Sequence, residues 1–319
     1  MNNRLKLKIA LLFFILFAAI IIGVLKGPAD LGIRQLLSRA YMPILYLRAL
    51  RIFAALSCGA GLAVSGIALQ AILRNPLAEP YLLGTSSGAG LGAVIALICG
   101  IASRWLPLFA FLGAALSIFI VYNLARQNNR IRQESLILSG VIVSVAFSAI
   151  IVFLVSISGS EVLRSLSWWL WGSLQVYDAR LLLIVSIIVF AGVLVIYLFA
   201  QDLNAISIGE EEAMHLGINA EQTKKILIFT TSIITASLVC VCGVIGFVGL
   251  IAPHTMRLLC GPNHRVLIPV TCLGAAIFMI LCDIIARVIY PPLEVPIGVI
   301  TAMVGAPIFI ILLRRSEKI

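Results

Sequence analysis

The sequence contains few charged residues. Only 11% of its 319 residues are Asp, Glu, Lys or Arg, against about 25% in an average soluble domain. Because a soluble fold needs a charged and polar surface, this scarcity excludes a soluble enzyme and a disordered chain. Apolar residues make up 62% of the chain, enough for about ten helices of the roughly 20 residues that cross a bilayer. The composition therefore predicts an all-α polytopic membrane protein.

Motifs of ATP binding and metal binding are also missing from the sequence. It has no Gly-x-x-x-x-Gly-Lys-Ser/Thr pattern, so the chain has no phosphate-binding loop of its own. The pattern His-Glu-x-x-His, which is typical of zinc proteases, does not occur either. Its seven cysteines lie in or beside apolar runs without paired spacing, which argues against a disulfide framework. We therefore expect no enzyme activity, no metal site and no cofactor on this chain.

Basic residues are distributed as in a membrane protein. The net charge is +10, but no basic stripe interleaved with aromatic residues indicates nucleic acid as a partner. Lys and Arg instead cluster between ten apolar runs, and most of them fall on the side of the N-terminus, which is typical of cytoplasmic loops. Both termini are therefore predicted to be cytoplasmic. The predicted spans are 9–25, 52–73, 82–101, 106–125, 135–157, 181–200, 226–243, 244–260, 266–289 and 297–313.

A polar insert at 201–225 separates the sixth and seventh predicted spans and is cytoplasmic in this topology. Three acids at 210–212 favour a helix start, and Gly217 favours its end. The predicted apolar face of this short helix comprises Ala213, Met214 and Leu216. Such a helix fits a groove on another protein, and the residues alone leave an ordinary solvated loop equally open.

Asp283 is the acid that lies clearly at membrane depth, where ionisable residues are usually functional. Arg287 follows four residues later, a spacing that places both side chains on one helical face as a pair. An ion-coupled secondary transporter that uses Asp283 is therefore the alternative function. The scarcity of other buried acids counts against it.

Short motifs extend over nearly the whole chain in a characteristic order. The first half contains Arg48-Ala-Leu-Arg51 and Arg74-Asn-Pro-Leu-Ala-Glu-Pro80, and the middle contains Trp168-Trp-Leu-Trp-Gly-Ser173. The last third contains Gly246-Phe-Val-Gly-Leu-Ile-Ala-Pro-His254 and Glu294-Val-Pro-Ile-Gly298. In this order and spacing, the chain resembles the FecCD-type permeases of ABC importers for iron–siderophores, haem and cobalamin. One departure is Leu50, where the family usually has Pro, so the second span can begin a turn earlier.

The resemblance implies a single permease domain over 1–319 with the ten-span bundle of a cobalamin importer, in a bacterial or archaeal plasma membrane. It implies a second permease copy or a close relative, two ATPase subunits that bind ATP and Mg, and an extracytoplasmic substrate-binding protein. An iron chelate, haem or cobalamin would pass inward.

The resemblance also assigns roles to individual residues of this chain. The ATPase contact would comprise Ser207, Gly209, Glu210, Glu211, Ala213, Leu216 and Gly217. The binding protein would dock on Arg48, Arg51 and Arg287 at an outer rim, and a cytoplasmic gate would include Asn75, Pro76 and Leu77.

Overall fold

Helices make up nearly all of the regular structure in this computed structural model, which describes residues 3–28, 35, 38–127 and 130–316. In chain order the helices are α1 (Asn3–Leu25), α2 (Met42–Ile72), α3 (Thr85–Ile98), α4 (Leu106–Ala125), α5 (Gln133–Ser156), α6 (Ser160–Leu170), α7 (Ala179–Leu198), α8 (Ala200–Ile208), α9 (Glu210–His215), α10 (Ala220–Cys242), α11 (Val248–Cys260), α12 (His264–Val288) and α13 (Ile297–Ser316). Single 3-10 turns lie at Arg39–Tyr41, Pro80–Leu83 and Ser103–Trp105. Two antiparallel two-residue strands, β1 (Arg126–Gln127) and β2 (Arg130–Ile131), join α4 to α5.

Every predicted apolar run contains a helix. In the described part of the chain, seven helices are long and apolar enough to cross a bilayer, and three apolar helices are shorter. The shorter helices are α3, α11 and the stretch Ile297–Ile311 of α13. The two adjoining spans predicted at 226–243 and 244–260 are separate helices, because the chain turns at Gly243, whose φ of +69° suits glycine. The prediction of an all-helical polytopic bundle is confirmed.

Two features of the helical pattern differ from the prediction. Helix α2 begins at Met42, ten residues before the predicted start, with a proline in its first turn, where proline is well tolerated. Arg48 and Arg51 therefore lie within this helix and not in the loop before it. Helices α6 and α8 were not predicted, because neither is a long apolar run.

Helix α2 lies at the centre of the bundle and packs against α7, α10, α11 and α12. Close approach requires small side chains, because dispersion contacts and not water exclusion hold helices together in lipid. A Cβ on Gly59 would lie 2.6 Å from the Ala275 carbonyl oxygen of α12, and one on Gly66 would overlap the Gly249 carbonyl of α11. Helix α2 is therefore densely packed against α11 and α12.

The pair α3 and α4 shows the same close packing. A Cβ on Gly88 would lie 2.5 Å from the Gly113 carbonyl oxygen, and one on Gly92 would overlap the Phe109 carbonyl. Gly88 and Gly92 of α3 therefore face α4 and not lipid.

Candidate functional site

The short helix α9 ends in a defined cap. Gly217 adopts a φ of +79°, and its N–H donates to Met214 O at 2.9 Å, while the Ile218 N–H donates to Ala213 O at 3.0 Å. These two bonds form a Schellman motif, which satisfies carbonyls at a helix end. The predicted helix start at Glu210 and stop at Gly217 are both confirmed.

The inner side of α9 is attached to the bundle. Ala213 is buried in a small cluster with Ala205 and Ile206 of α8 and Ala220 of α10. The Lys224 side chain of α10 is 1% exposed, and its Nζ lies 3.0 Å from Glu210 Oε2. This ammonium group also contacts Glu221 and donates to Ile131 O at 3.2 Å. The buried cation is thus neutralised, as its burial requires.

The insert also exposes three large apolar side chains. Ile208, Met214 and Leu216 are 72%, 59% and 71% exposed. We call these three side chains the apolar patch. Ile208 was missed by the sequence interpretation because α8 was not predicted.

The seven predicted ATPase-contact residues do not share one face. Ser207, Glu211, Leu216 and Gly217 are exposed, whereas Gly209 and Ala213 are buried and Glu210 is half-buried. The predicted apolar face of α9 was therefore wrong for Ala213, which packs inward. Its backbone and that of Gly209 support the helix, and only the exposed residues can touch a partner.

The predicted gate residues form a turn that follows α2. The Leu77 N–H donates to Asn75 Oδ1 at 2.9 Å, and the Ala78 N–H donates to Asn75 O at 3.0 Å. This is the local side-chain bonding by which asparagine favours turns. Leu77 is 46% exposed, so its side chain can contact another segment or subunit.

The turn is tied to helix α11 through Gln70. Gln70 Nε2 donates to Gly249 O at 3.1 Å and, more weakly, to Ala78 O at 3.4 Å. Arg257 Nη2 in turn donates to Gln70 Oε1 at 3.1 Å. The end of α2, the turn and α11 therefore share one hydrogen-bond network.

Glu79 and Tyr81, which follow the turn, form hydrogen bonds with the non-helical backbone between α10 and α11. Glu79 Oε1 accepts from the Phe247 N–H at 2.8 Å, and burial raises the pKa of this carboxyl, an effect that the donated N–H partly offsets. The Tyr81 hydroxyl accepts from Ile245 N at 3.1 Å and donates to Ile245 O at 3.2 Å. Non-helical backbone inside a membrane protein needs such partners.

The three predicted docking arginines are gathered at one place but are buried. Arg48, Arg51 and Arg287 are 4%, 9% and 1% exposed. Arg51 Nη2 lies 2.9 Å from Asp283 Oδ1, and Arg287 Nη2 lies 2.9 Å from Asp283 Oδ2. Arg51 also pairs with Glu294 at 2.7 Å. The predicted pairing of Asp283 with Arg287 is confirmed, whereas Arg51 as the second partner of Asp283 was missed.

Two of these arginines also cap the end of α1. Arg48 Nη1 donates to Val24 O at 2.8 Å and Leu25 O at 2.7 Å, and Arg287 Nη1 donates to Lys26 O at 2.8 Å. Cations suit this position because the last carbonyls of a helix lack intrahelical donors. The arginines are therefore held by groups of this chain itself, and their role in docking stays a prediction.

A cavity of about 240 Å³ nevertheless reaches the arginine cluster. Arg48, Arg51, Arg287 and Glu294 line it, together with Gln175 and Tyr177. Gln175 Nε2 donates to Glu294 Oε2 at 2.6 Å. The site therefore presents guanidinium groups at the base of a pocket. Whether a binding protein uses that pocket remains a prediction.

Comparisons with known proteins agree on one family. The model of the FecCD transport family matches residues 11–315. The cobalamin import system permease protein BtuC of Halobacterium salinarum is 41% identical over 84% of this chain and 72% of its own length. The hemin transport system permease protein HmuU of Yersinia pestis is 34% identical over 100% of this chain and 99% of its own.

A solved structure has the same fold. It is described as an inward-facing conformation of an ABC transporter assigned to the metal-chelate type, and it superposes with a TM-score of 0.90 at 33% identity. The match covers 97% of this chain and 99% of that one. The chain therefore belongs to the FecCD transport family and is a multi-pass permease of the ABC transporter class.

Proposed function

We propose that this permease carries an iron chelate, haem or cobalamin into the cytoplasm, driven by ATPase subunits that bind the α8–α9 insert. The relatives named for cobalamin and hemin transport support this cargo class. The proposed assembly has two ATPase subunits, which bind ATP and Mg, and a second permease copy or close relative. An extracytoplasmic binding protein delivers the cargo, and both termini of the permease are cytoplasmic.

The observation that carries the proposal is that one short insert combines an inner side packed on the bundle with three exposed apolar side chains. Apolar side chains that cluster on a protein surface commonly mark an interaction site. Ile208, Met214 and Leu216 are each more than half exposed, although lipid does not cover a cytoplasmic insert. A groove on an ATPase subunit would bury this apolar patch.

The contacts of α9 with the bundle explain how a bound ATPase subunit would move the membrane-spanning helices. Because Glu210 pairs with the buried Lys224 of α10 and Ala213 is buried against α8 and α10, a push on α9 displaces these helices instead of bending a loop. Closure of the ATPase pair would then tilt the spans that the insert joins, as packed elements move in other switching proteins.

The arginine pocket is the proposed docking point for the binding protein. Acidic side chains of the partner would enter the cavity and exchange with Glu294, the less buried of the two acids, whose side chain is 22% exposed. Charges of this kind mainly set the orientation and rate of encounter.

The ATPase contact is tested by co-expression with candidate ATPase subunits and purification of the complex. We expect Leu216→Asp to abolish co-purification, because it places a carboxylate in the buried centre of the interface. Leu293→Asp is the matched control, since Leu293 is 64% exposed but lies in the loop before α13, away from the apolar patch. Equal recovery of the ATPase with both variants would contradict the docking proposal.

The driving force is tested in proteoliposomes that contain the complex and the binding protein. Cobalamin, hemin and a ferric siderophore are supplied in turn, with ATP present or with proton and sodium gradients alone. The proposal expects uptake of one of these compounds only with ATP. Uptake that persists without ATP and stops when the gradients collapse would instead support the ion-coupled transporter.

A further inference from the structure

Gln133, the first residue of α5, joins the insert to the end of α2. Its Nε2 donates to Ile72 O at 2.9 Å and to Glu210 Oε1 at 3.3 Å. Ile72 is the last residue of α2, and Glu210 is the first residue of α9. One amide group thus contacts both the proposed ATPase-binding helix and the helix that leads to the gate turn.

The Ile72 carbonyl is a sensitive point for such a contact. The last carbonyls of a helix have no intrahelical donor and take partners from elsewhere. Backbone bonds continue from this point, with the Asn75 N–H donating to Gln70 O at 3.1 Å and the Ala78 N–H donating to Asn75 O at 3.0 Å. A displacement of the α2 end is therefore passed directly to Asn75 and the turn at 75–77.

Glu210, the other partner of Gln133, is itself fixed by polar contacts. Glu210 uses Oε1 for Gln133 and Oε2 for Lys224, and Lys224 donates to Ile131 O of β2, two residues before Gln133. The segment that joins β2 to α5 is thus linked with α9 and α10 in a closed ring of polar contacts. Because the Lys224 side chain is buried, these contacts are not easily exchanged for water.

We propose that Gln133 is a positioning residue that passes the movement of α9 to the α2 end and the gate turn, so that ATP use and gate opening remain coupled. The inference rests on the proposed function. A purely structural Gln133 would only fix the start of α5, and its loss would lower stability without changing the ratio of substrate moved to ATP hydrolysed.

The test compares that ratio in proteoliposomes containing the complete complex. Gln133→Met keeps the side-chain length and removes both hydrogen bonds, and Gln222→Met is the control at an exposed position on α10. We expect Gln133→Met to lower the ratio about fivefold or more, the range of coupling between linked sites. The Gln222→Met variant should match the wild type.

A double-mutant cycle with Glu210→Gln separates a shared link from two independent defects. If Gln133 and Glu210 act through one contact, the double variant has a ratio no lower than the worse single variant. A ratio for Gln133→Met equal to that of the control would overturn the inference and leave the proposed function standing. Multiplied defects in the double variant would also overturn it.

Two further results complete the test. If Gln133→Met fails to fold, Gln133→Asn, whose amide is one methylene too short to reach both oxygens, replaces it. A ratio lowered about fivefold then supports the link, and a ratio equal to that of Gln222→Met overturns it. A wild-type complex that assembles but moves no cargo with ATP would overturn the proposed function, and the inference with it.

Discussion

Removal of the Asp283 charge should destabilise the protein more than removal of any exposed charge. The Asp283 side chain is 1% exposed and lies between Arg51 and Arg287, each at 2.9 Å. The variant Asp283→Asn keeps the shape but leaves two buried guanidinium groups without their shared carboxylate. Uncompensated buried charge is strongly unfavourable in a medium that solvates ions poorly.

The size of the destabilisation depends on the partners that Arg51 and Arg287 retain. Loss of one partner from a buried ion pair costs about 3–5 kcal/mol. Arg51 keeps Glu294 at 2.7 Å, and Arg287 keeps the carbonyls of Gly23 and Lys26 at 3.1 and 2.8 Å, so we expect the lower end, about 3 kcal/mol. This corresponds to a fall of at least about 5 °C in the midpoint of thermal unfolding.

The assay is the fraction of monodisperse protein that survives heating in detergent, measured for three variants. Glu294→Gln, which removes a partly exposed partner of Arg51, should change the midpoint far less. The double variant Asp283→Asn with Arg287→Met should recover part of the loss, because one unpaired cation is gone. An Asp283→Asn variant as stable as the wild type would refute this reasoning. If the Asp283→Asn variant were stable but no longer took up substrate in response to an ion gradient, Asp283 would be the titrating group of an ion-coupled carrier.

Three further predictions concern packing and buried polar contacts. Gly92→Leu should reduce the yield of folded protein, because the new side chain would overlap the Phe109 carbonyl. Gly159→Leu is the control, since Gly159 has open space around it, and equal yields of the two variants would contradict the packing. Lys224→Met should make the insert more sensitive to subtilisin, since Glu210 loses its cation, and Lys225→Met should not; identical digestion patterns would mean that Lys224 does not anchor α9. Tyr81→Phe should cost about 1–3 kcal/mol by leaving both Ile245 backbone groups unpaired, and the exposed Tyr290→Phe is its control. An unchanged midpoint would show that other partners replace the Tyr81 hydroxyl.

The sequence predicted the helices of the bundle well because hydropathy is a property of continuous runs. The continuous apolar region after residue 226 was divided at the correct position, since glycine at position 243 permits the positive φ of the turn. The errors fall where a helix is not continuously apolar. Helix α2 begins at Met42 although it contains Arg48 and Arg51, and α8 contains Asp202 and Asn204.

The insert shows which part of a site local rules can predict. Acids in the first turn and glycine at the end specified α9, because both effects act within a few residues. The direction of each side chain was not specified. Ala213 faces inward because α8 and α10 supply its neighbours. The exposure of Ile208 depends on helix α8, which was not predicted from the sequence.

Lys224 and Arg287 show why the charges in a sequence do not predict how deeply a side chain is buried. Lys224 and Arg287 were counted with the loops on opposite sides of the membrane, yet each side chain is 1% exposed. Each is held by carboxylates and backbone carbonyls, and some of those partners lie far away in the chain: Lys224 bonds Ile131 O, 93 residues away, and Arg287 bonds Gly23 O, 264 residues away. A count of charges per loop cannot contain such pairings, because they exist only once the helices have packed. Burial of a cation therefore indicates that several segments must hold their relative positions.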